Sequence, residues 1–218
     1  MKKEEVNHYI TLCRDDADIF LGVDDVSVGA GEWGKYFGNS NPICLEIGTG
    51  MGNFFSEECS HHPEKNYIGM DIRYKRVYNA AEKSRQKGAS NFAIIKEFAQ
   101  EIGDVFAEGE LSEVYVFFPD PWARKKKQLK NRLFQREFLD LLARCLKSGG
   151  KLIYKTDHEE YFRSTLDLFR EHEAFDITVE SYDYEKELDV FDKQNMTEFE
   201  HMFRSEQGNI HYTQIVRK

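Results

Sequence analysis

The stretch Pro42-Ile-Cys-Leu-Glu-Ile-Gly-Thr-Gly-Met-Gly52 decides how the rest of this chain is interpreted. A short apolar run ends in three alternating glycines, which predicts a buried strand and a tight turn that a ligand can approach closely. The next residues, 53–59, can form a helix. The stretch therefore predicts the first strand, turn and helix of an α/β sheet, although an ordinary strand–helix turn has the same pattern.

Strands and helices continue to alternate after this first unit. Further strands are predicted at 66–72, 92–96, 113–118 and 151–155, helices at 78–87, 132–147 and 157–172, and late strands at 177–182 and 211–216. The alternation predicts an α/β fold with a doubly wound, mostly parallel sheet that ends in late antiparallel strands. Ligands of such sheets bind beyond the carboxyl ends of the strands. Residues 1–40 form a polar N-terminal preamble, and 183–209 form a long acidic segment that suits a functional loop.

Length and composition restrict the class of protein. The 218 residues fit one domain, which we place at 41–218. No uncharged apolar run approaches the roughly 18 residues of a spanning helix, and the N-terminus lacks the apolar segment of a signal peptide. Four scattered cysteines without a CxxC pair favour a reducing cytoplasm, and the seven histidines lack metal-site spacing. The net charge of −9 argues against nucleic acid unless a local basic patch exists.

Two acidic residues accompany the glycines. Glu46 comes just before them, where an acid disfavours a pyrophosphate and suits a cation such as the ammonium or sulfonium group of S-adenosylmethionine. Asn53 occupies the final position of the dinucleotide pattern GxGxxG, where a glycine is expected. Asp71 ends the second predicted strand, so its carboxylate can accept hydrogen bonds from two ribose hydroxyls. A solvated charge at a strand end is the alternative interpretation of Asp71.

A second candidate site follows the strand at 113–118. In Phe117-Phe-Pro-Asp-Pro-Trp122, two prolines prevent further strand pairing and hold Asp120 and Trp122 rigidly at the carboxyl edge of the sheet. Seven basic residues and no acidic residue then lie within 124–136. Such a run is usually a solvated face, but its position here predicts a phosphate-binding patch at the mouth of the pocket.

Two later segments have both a structural and a functional interpretation. Asp157 follows the strand at 151–155, on the same predicted rim as Asp120, yet by itself a helix N-cap is the better explanation. Thr197-Glu-Phe-Glu200 has the Thr-x-x-Glu pattern of a capping box, and there the structural and functional interpretations are evenly balanced.

In combination the motifs are specific. From about Trp33 to the C-terminus, the chain resembles the tRNA (guanine-N7)-methyltransferases, S-adenosylmethionine-dependent enzymes with a Rossmann-like fold. The resemblance is carried by Phe118-Pro-Asp-Pro-Trp122 with the basic run and Arg132-Leu133 after it, by Lys155-Thr-Asp157 and by Thr197-Glu-Phe-Glu200. It implies methyl transfer to N7 of a guanine in the variable loop of tRNA.

The resemblance also implies roles for individual residues. Asp120 matches the acid assigned to both cofactor binding and catalysis, and Arg124 falls where the family commonly has a substrate-binding lysine. The other implied cofactor-binding residues are Glu46, Gly48, Gly50, Gly52, Asp71, Glu97 and Phe98. The other implied substrate-binding residues are Asp157, Thr197, Glu198, Phe199 and Glu200.

The chain departs from the family pattern at two places. Phe98-Ala99, preceded by Glu97, aligns with an Asp-Ala pair that contacts the cofactor, so the usual carboxylate is missing or displaced. The basic run lacks the usual histidine and is one residue longer, which makes the details of RNA docking less transferable.

Three alternative functions are compatible with parts of the sequence. A methyltransferase acting on an exocyclic amino group or a small molecule would have a motif similar to Pro119-Asp-Pro121. Phe98 is consistent with an RNA-binding relative that has lost cofactor affinity. An NAD-dependent oxidoreductase is the weakest, because it explains neither Asn53 nor the Pro-Asp-Pro-Trp turn. We expect tRNA as the partner, no metal, no membrane, and either a monomer or a homodimer.

Overall fold

The computed structural model describes residues 8–25, 29–187, 196–205 and 208–218. The strands are β1 (Ile19–Phe20), β2 (Ile43–Ile47), β3 (Asn66–Met70), β4 (Phe92–Ile95), β5 (Leu111–Phe117), β6 (Leu146–Thr156), β7 (Phe175–Ser181) and β8 (His211–Arg217). The α-helices are α1 (His8–Arg14), α2 (Trp33–Phe37), α3 (Asn53–His61), α4 (Tyr74–Gln86), α5 (Ile102–Val105), α6 (Arg136–Cys145), α7 (Glu159–Arg170), α8 (Tyr184–Glu187) and α9 (Glu198–Ser205). Short 3-10 helices lie at Val23–Asp25, Ala99–Glu101 and Lys126–Asn131.

The described strands form one sheet in the order β1-β4-β3-β2-β5-β6-β8-β7. Strands β1 to β6 pair in parallel, and β8 pairs antiparallel with both β6 and β7. The predicted α/β fold with a mostly parallel sheet and late antiparallel strands is confirmed. Because β3 and β5 flank β2 on opposite sides, the strand order reverses beside β2, and its glycine turn lies where such sheets bind ligands.

The centre of the sheet is buried on both faces. Every residue of β2, β3 and β4 is buried, as expected for parallel strands that are covered by helices on two sides. The longer helices α3, α4, α6 and α7 each bury several side chains; on α6 the buried residues are Phe138, Leu139, Leu142 and Cys145. This packing holds the carboxyl ends of the central strands in fixed positions. No helix among the described residues is both long and apolar enough to cross a membrane.

The N-terminal residues contribute directly to the sheet and its core. Strand β1 extends the sheet edge by pairing with β4, with Ile19 opposite Ile94. Trp33 on α2 is completely buried, and its indole N–H donates a 3.0 Å hydrogen bond to the carbonyl oxygen of Val105. Strand β1 could not be predicted from the sequence, because a strand of two residues has no measurable periodicity.

Two predicted boundaries were wrong near the basic run. The helix expected from Arg132 begins at Arg136, because residues 126–131 form a 3-10 helix and the Arg132 side chain is buried. Strand β6 begins at Leu146 instead of residue 151, since Leu146 already pairs with Leu111 of β5.

Candidate active site at the carboxyl edge of the sheet

The glycine turn after β2 depends on glycine at three positions. Gly48, Gly50 and Gly52 have φ values of 83°, 56° and 79°, a left-handed region that side chains with a Cβ rarely adopt. A Cβ on Gly52 would also lie 2.5 Å from the Cα of Ala80 on α4. The glycines therefore allow α3 to start close against α4 while the turn remains open on its other side.

Three neighbouring cavities lie at this edge. The glycine-turn cavity has a volume of about 390 Å³ and is lined by Glu46, Gly48, Thr49, Gly50, Met51, Asn53, Phe54, Arg76, Phe117, Phe118, Asp120, Thr197, Glu198 and Phe199. The Asp71 cavity, about 210 Å³, includes Asp71, Ile72, Arg76, Glu97, Ala99 and Asp120 in its lining. The Trp122 cavity, about 370 Å³, is lined by Asp120, Pro121, Trp122, Ala123, Arg124 and Gln128. Asp120 is the residue that all three linings share.

Glu46 places a buried carboxyl group in the glycine-turn cavity. The residue is only 3% exposed, and its Oε2 atom has no hydrogen-bond partner among the described residues. Burial, together with the charges of Glu58 and Asp71, raises the pKa of Glu46 well above its usual value. Because an unpaired buried carboxyl group is unfavourable, Glu46 is well suited to a ligand that brings a positive charge into the cavity.

Asp71, which directly follows β3, is held in place by two backbone N–H groups, one in the glycine turn and one just before α4. Its carboxylate accepts hydrogen bonds from the backbone N–H of Gly50 at 3.3 Å and of Arg73 at 3.0 Å. The Arg76 guanidinium lies 3.5 Å from the same carboxylate and lines both the glycine-turn and Asp71 cavities. The solvated-charge interpretation is therefore wrong, since Asp71 is buried and fixed beside the glycine turn.

Glu97 and Phe98 are placed differently with respect to the cavities. Glu97 lines the Asp71 cavity, and its Oε1 accepts a 2.8 Å hydrogen bond from the backbone N–H of Phe98. Phe98 is 54% exposed and lies outside the lining of the three cavities. A carboxylate after β4 thus lies in the lining of the Asp71 cavity, one residue before the position at which the family pattern has it.

The turn that carries Asp120 is strained at both ends. Phe118 and Trp122 have φ values of 49° and 47°, which are uncommon for residues other than glycine and are costly for bulky side chains. The buried Arg132 stabilises the turn, because its Nε donates a 2.8 Å hydrogen bond to the carbonyl oxygen of Pro121. The guanidinium also lies 4.6 Å from the centre of the Tyr161 ring. Two strained residues thus enclose the one carboxylate that reaches all three cavities.

The basic run is split between the surface and the interior. Arg124, Lys125, Lys126, Lys127 and Lys130 are exposed beside or near the Trp122 cavity. The prediction that Arg132 belongs to the phosphate-binding patch was wrong, because the side chain is only 6% exposed and bonded to Pro121. The exposed patch is therefore smaller than the sequence indicated.

Asp157 lies at the end of β6, next to the strand end that leads to Asp120. It is half-buried and outside the lining of the three cavities. The N-cap interpretation was wrong: helix α7 is capped by His158, whose Nδ1 accepts a hydrogen bond from the Tyr161 N–H at 3.2 Å.

The segment 197–200 combines capping with a cavity wall. Thr197 Oγ1 accepts a 3.0 Å hydrogen bond from the N–H of Glu200, so the capping interpretation is confirmed for this side chain. Thr197, Glu198 and Phe199 also line the glycine-turn cavity. Glu200 does not line it; its side chain is fully buried and forms an ion pair with Lys155. Of the long acidic segment 183–209, residues 188–195 and 206–207 lie outside the described residues.

Sequence reasoning missed Arg76 and Lys155. Arg76 lies in the first turn of α4, directly after the strand end that carries Asp71, and this position was a detectable signal. Lys155 entered the sequence analysis only as part of the Lys155-Thr-Asp157 motif, without a role of its own, and no local pattern indicates its burial. Among the described residues, no group of three or more histidine, cysteine, aspartate or glutamate side chains is arranged to hold a metal ion.

Comparison with known proteins identifies the family. Residues 40–213 match the model of a family described as putative methyltransferase. A tRNA (guanine-N(7)-)-methyltransferase from Bacillus licheniformis is 35% identical over 181 residues, with 83% of each chain covered. A bifunctional glycosyltransferase/methyltransferase from Fusobacterium nucleatum is 33% identical over 216 residues, which cover 98% of this chain but only 33% of that relative. The present chain thus spans about a third of the bifunctional protein.

A solved structure supports the fold. A mutant 16S rRNA (adenine(1408)-N(1))-methyltransferase from Catenulisporales acidiphilia, solved with its cosubstrate SAM (S-adenosylmethionine), is similar with a TM-score of 0.57. The identity is 16%, and 85% of this chain and 90% of that chain are covered. Fold, site and family match agree on one class, a methyltransferase with a doubly wound sheet. The chain belongs to the putative methyltransferase family, and the resemblance inferred from the motifs is confirmed.

Proposed function

We propose that the protein transfers a methyl group from S-adenosylmethionine to N7 of a guanine in the variable loop of tRNA. The observation that carries this proposal is the position of Asp120, which lines the glycine-turn, Asp71 and Trp122 cavities at once. One carboxylate can therefore face a cofactor on one side and a substrate base on the other. The names of the relatives favour guanine N7 of tRNA over the alternative targets.

The residues around the first two cavities fit S-adenosylmethionine. Glu46 offers a buried carboxyl oxygen that is without a partner among the described residues, which suits the ammonium group of the cofactor. Asp71 lies where a ribose is bound in related folds, and Glu97 adds a second carboxylate to the same cavity. When bound, S-adenosylmethionine supplies a methyl group attached to a positively charged sulfur.

Guanine N7 has an in-plane lone pair, so no proton has to be removed before it reacts. The main task of the protein is therefore to align the base and to stabilise charge. We assign Asp120 to this task as the catalytic residue. Asp157, which lies at the neighbouring strand end and outside the lining of the three cavities, is proposed as a second orienting acid that accepts from the N1–H and N2–H₂ groups of the guanine. The strained backbone at Phe118 and Trp122 fixes the direction in which Asp120 points.

The Trp122 cavity is the proposed base site. Trp122 is 38% exposed beside Arg124, so it offers an apolar face to a base next to a cation for the phosphate backbone. The exposed lysines 125–127 extend this positive charge along the 3-10 helix. A guanine that is unstacked or flipped out of a tRNA loop could reach this site, whereas a base inside a duplex could not.

We propose that the protein works in the cytoplasm, because all four cysteines are buried free thiols. The experiment that tests the function is mass spectrometry of nucleosides from unmodified tRNA incubated with the protein and S-adenosylmethionine. The expected product is N7-methylguanosine. A base methylated on an amino group would support the alternative methyltransferase, and unchanged tRNA would support a binding protein without activity.

A further inference from the structure

Lys155 brings three structural elements together around one buried ammonium group. Its side chain is 6% exposed at the end of β6, and its Nζ lies 3.1 Å from Oε2 of the fully buried Glu200 on α9. The same Nζ lies 5.1 Å from the centre of the Phe117 ring on β5 and 4.5 Å from that of Tyr184 on α8. Lys155 therefore contacts the end of β5 and both helices α8 and α9.

Helices α8 and α9 lie at the two ends of the connecting segment 188–197. Tyr184 begins α8, and Glu200 lies in α9, so both ends of this connection meet at the Lys155 side chain. Tyr184 is in turn stacked on Tyr212 of β8, with ring centres 4.8 Å apart. Through Glu200, helix α9 is thus in contact with the end of β6 in the sheet.

The residues that precede Glu200 are anchored at different places around the glycine-turn cavity. Glu198 accepts a 2.8 Å hydrogen bond from Asn53 at the start of α3. The Phe199 ring packs on Phe118 of the strained turn, with ring centres 4.7 Å apart. Thr197, Glu198 and Phe199 form part of the cavity wall, while Glu200 lies outside it.

We infer that Lys155 and Glu200 are positioning residues, whose buried ion pair holds α9 so that residues 197–199 complete the wall of the cofactor cavity. Glu200 then acts through Lys155 and does not contact the RNA. Its full burial and its place outside the cavity lining carry this inference against the substrate-binding role implied by the family pattern. The test of this inference by cofactor affinity rests on the proposed function, because it assumes that the protein binds the cofactor.

The burial of both charges makes the inference testable. Removing one partner of a buried pair deprives the other charge of that ion pair, which is strongly unfavourable, whereas replacing both partners by apolar residues is often tolerated. A positioning pair therefore predicts damage in each single variant and recovery in the double variant. A residue that contacts substrate predicts no such recovery.

The experiment uses the full chain with Lys155→Met, Glu200→Leu and the double variant. Affinity for S-adenosylhomocysteine is measured by calorimetry, and hydrogen exchange reports on the backbone of α9. Each single variant should bind about ten-fold or more weakly with faster exchange in α9, and the double variant should return to within about three-fold of the wild type. A double variant that recovers neither cofactor affinity nor slow exchange in α9 overturns the inference. Loss of tRNA binding in the Glu200 variants, with unchanged hydrogen exchange in α9, overturns it as well.

The exposed pair Lys35 and Glu32, 3.4 Å apart, provides a matched control. Lys35→Met and Glu32→Leu should leave both measurements unchanged, because an exposed pair contributes little. If a single variant at the buried pair does not fold, Glu200→Gln alone is compared with Glu200→Gln combined with Lys155→Met. Weaker binding of S-adenosylhomocysteine by the combined variant overturns the inference. If the wild type itself fails to bind S-adenosylhomocysteine, the proposed function fails, and hydrogen exchange still decides whether the pair positions α9.

Discussion

Arg132 Nε donates a hydrogen bond to the carbonyl oxygen of Pro121, 2.8 Å away, and so ties a buried cation to the turn that presents Asp120. The same guanidinium donates to Ser164 Oγ at 3.1 Å, which links the turn to helix α7. The bonded Pro121 directly precedes Trp122, one of the two residues with strained backbone in that turn. The geometry of the candidate site thus depends on a side chain that is not part of its lining.

We predict that Arg132→Met lowers the free energy of unfolding by about 2–4 kcal/mol, because it removes a buried cation and leaves two half-buried acceptors, the Pro121 carbonyl oxygen and Ser164 Oγ, without their donor. Arg132→Lys should not restore it, since an ammonium group cannot reproduce the planar guanidinium fork. Chemical denaturation measures this decrease, and Arg136→Met is the control. Arg136 is exposed and lies 3.6 Å from Asp140, so its removal should change stability by less than about 0.5 kcal/mol. Equal effects at both positions would contradict the structural role of Arg132.

Asp120→Ala should reduce the rate of methyl transfer in a single turnover about 100-fold, as expected when a group that stabilises charge in the transition state is removed. The protein should remain folded, because Asp120 is exposed in the turn and forms none of the core. Asp176→Ala, on the outer strand β7, is the matched control and should react at the wild-type rate. A wild-type rate in Asp120→Ala would rule out the catalytic assignment.

The pKa of Glu46 predicts a proton that is released on binding. Because this pKa is raised in the folded protein, the carboxyl group favours the folded state fully only below its ordinary pKa, and this contribution is lost as pH rises through the raised value. A cation beside Glu46 favours the ionised carboxylate, so the pKa of Glu46 is lower in the complex than in the free protein. Binding at a pH between these two pKa values therefore releases a proton.

Calorimetry of S-adenosylhomocysteine, which retains the ammonium group, measures this release in buffers of different ionisation enthalpy. The wild type should show a buffer-dependent heat. Glu46→Gln should show none and should bind about ten-fold or more weakly. The exposed Glu32→Gln is the control and should behave like the wild type. A wild type without buffer dependence across this pH range would contradict the placement of Glu46 at the ammonium group.

Removal of the exposed basic side chains should weaken tRNA binding mainly at low salt. With Arg124, Lys125, Lys126 and Lys127 changed to alanine, the slope of log affinity against log salt should fall by roughly 0.7–0.9 for each phosphate that no longer meets a cation. The affinity for S-adenosylhomocysteine should not change. Lys35→Ala, an exposed lysine outside the run, is the control. An unchanged slope in the fourfold variant would exclude direct phosphate contact.

The fold could be predicted from the sequence because alternating strands and helices, with glycines after β2, leave few arrangements. The same reasoning placed Glu46, Asp71 and Asp120 at one edge, since parallel strands end together. The two prolines around Asp120 indicated a rigid turn, and the strained φ values at its ends agree with this.

Other parts of the site could not be predicted, because they depend on contacts between distant segments. Arg132 looked like one cation in a basic run, and only packing against Tyr161 shows that it is buried. The capping pattern that includes Glu200 predicts the bond of its backbone N–H to Thr197 and does not predict the partner of its carboxylate. Its partner Lys155 is 45 residues away along the chain. Similarly, β1 is defined by its neighbour β4 and not by its own two residues.

Borohydride and aniline treatment of unmodified tRNA, after incubation with the protein and S-adenosylmethionine, tests the proposed methylation most directly, because N7-methylguanosine makes the RNA chain susceptible to cleavage. We predict cleavage at one guanine in the variable loop, dependent on both the protein and the cofactor and appearing about 100-fold more slowly with Asp120→Ala. Methyl incorporation without cleavage, or cleavage outside the variable loop, would contradict the proposal.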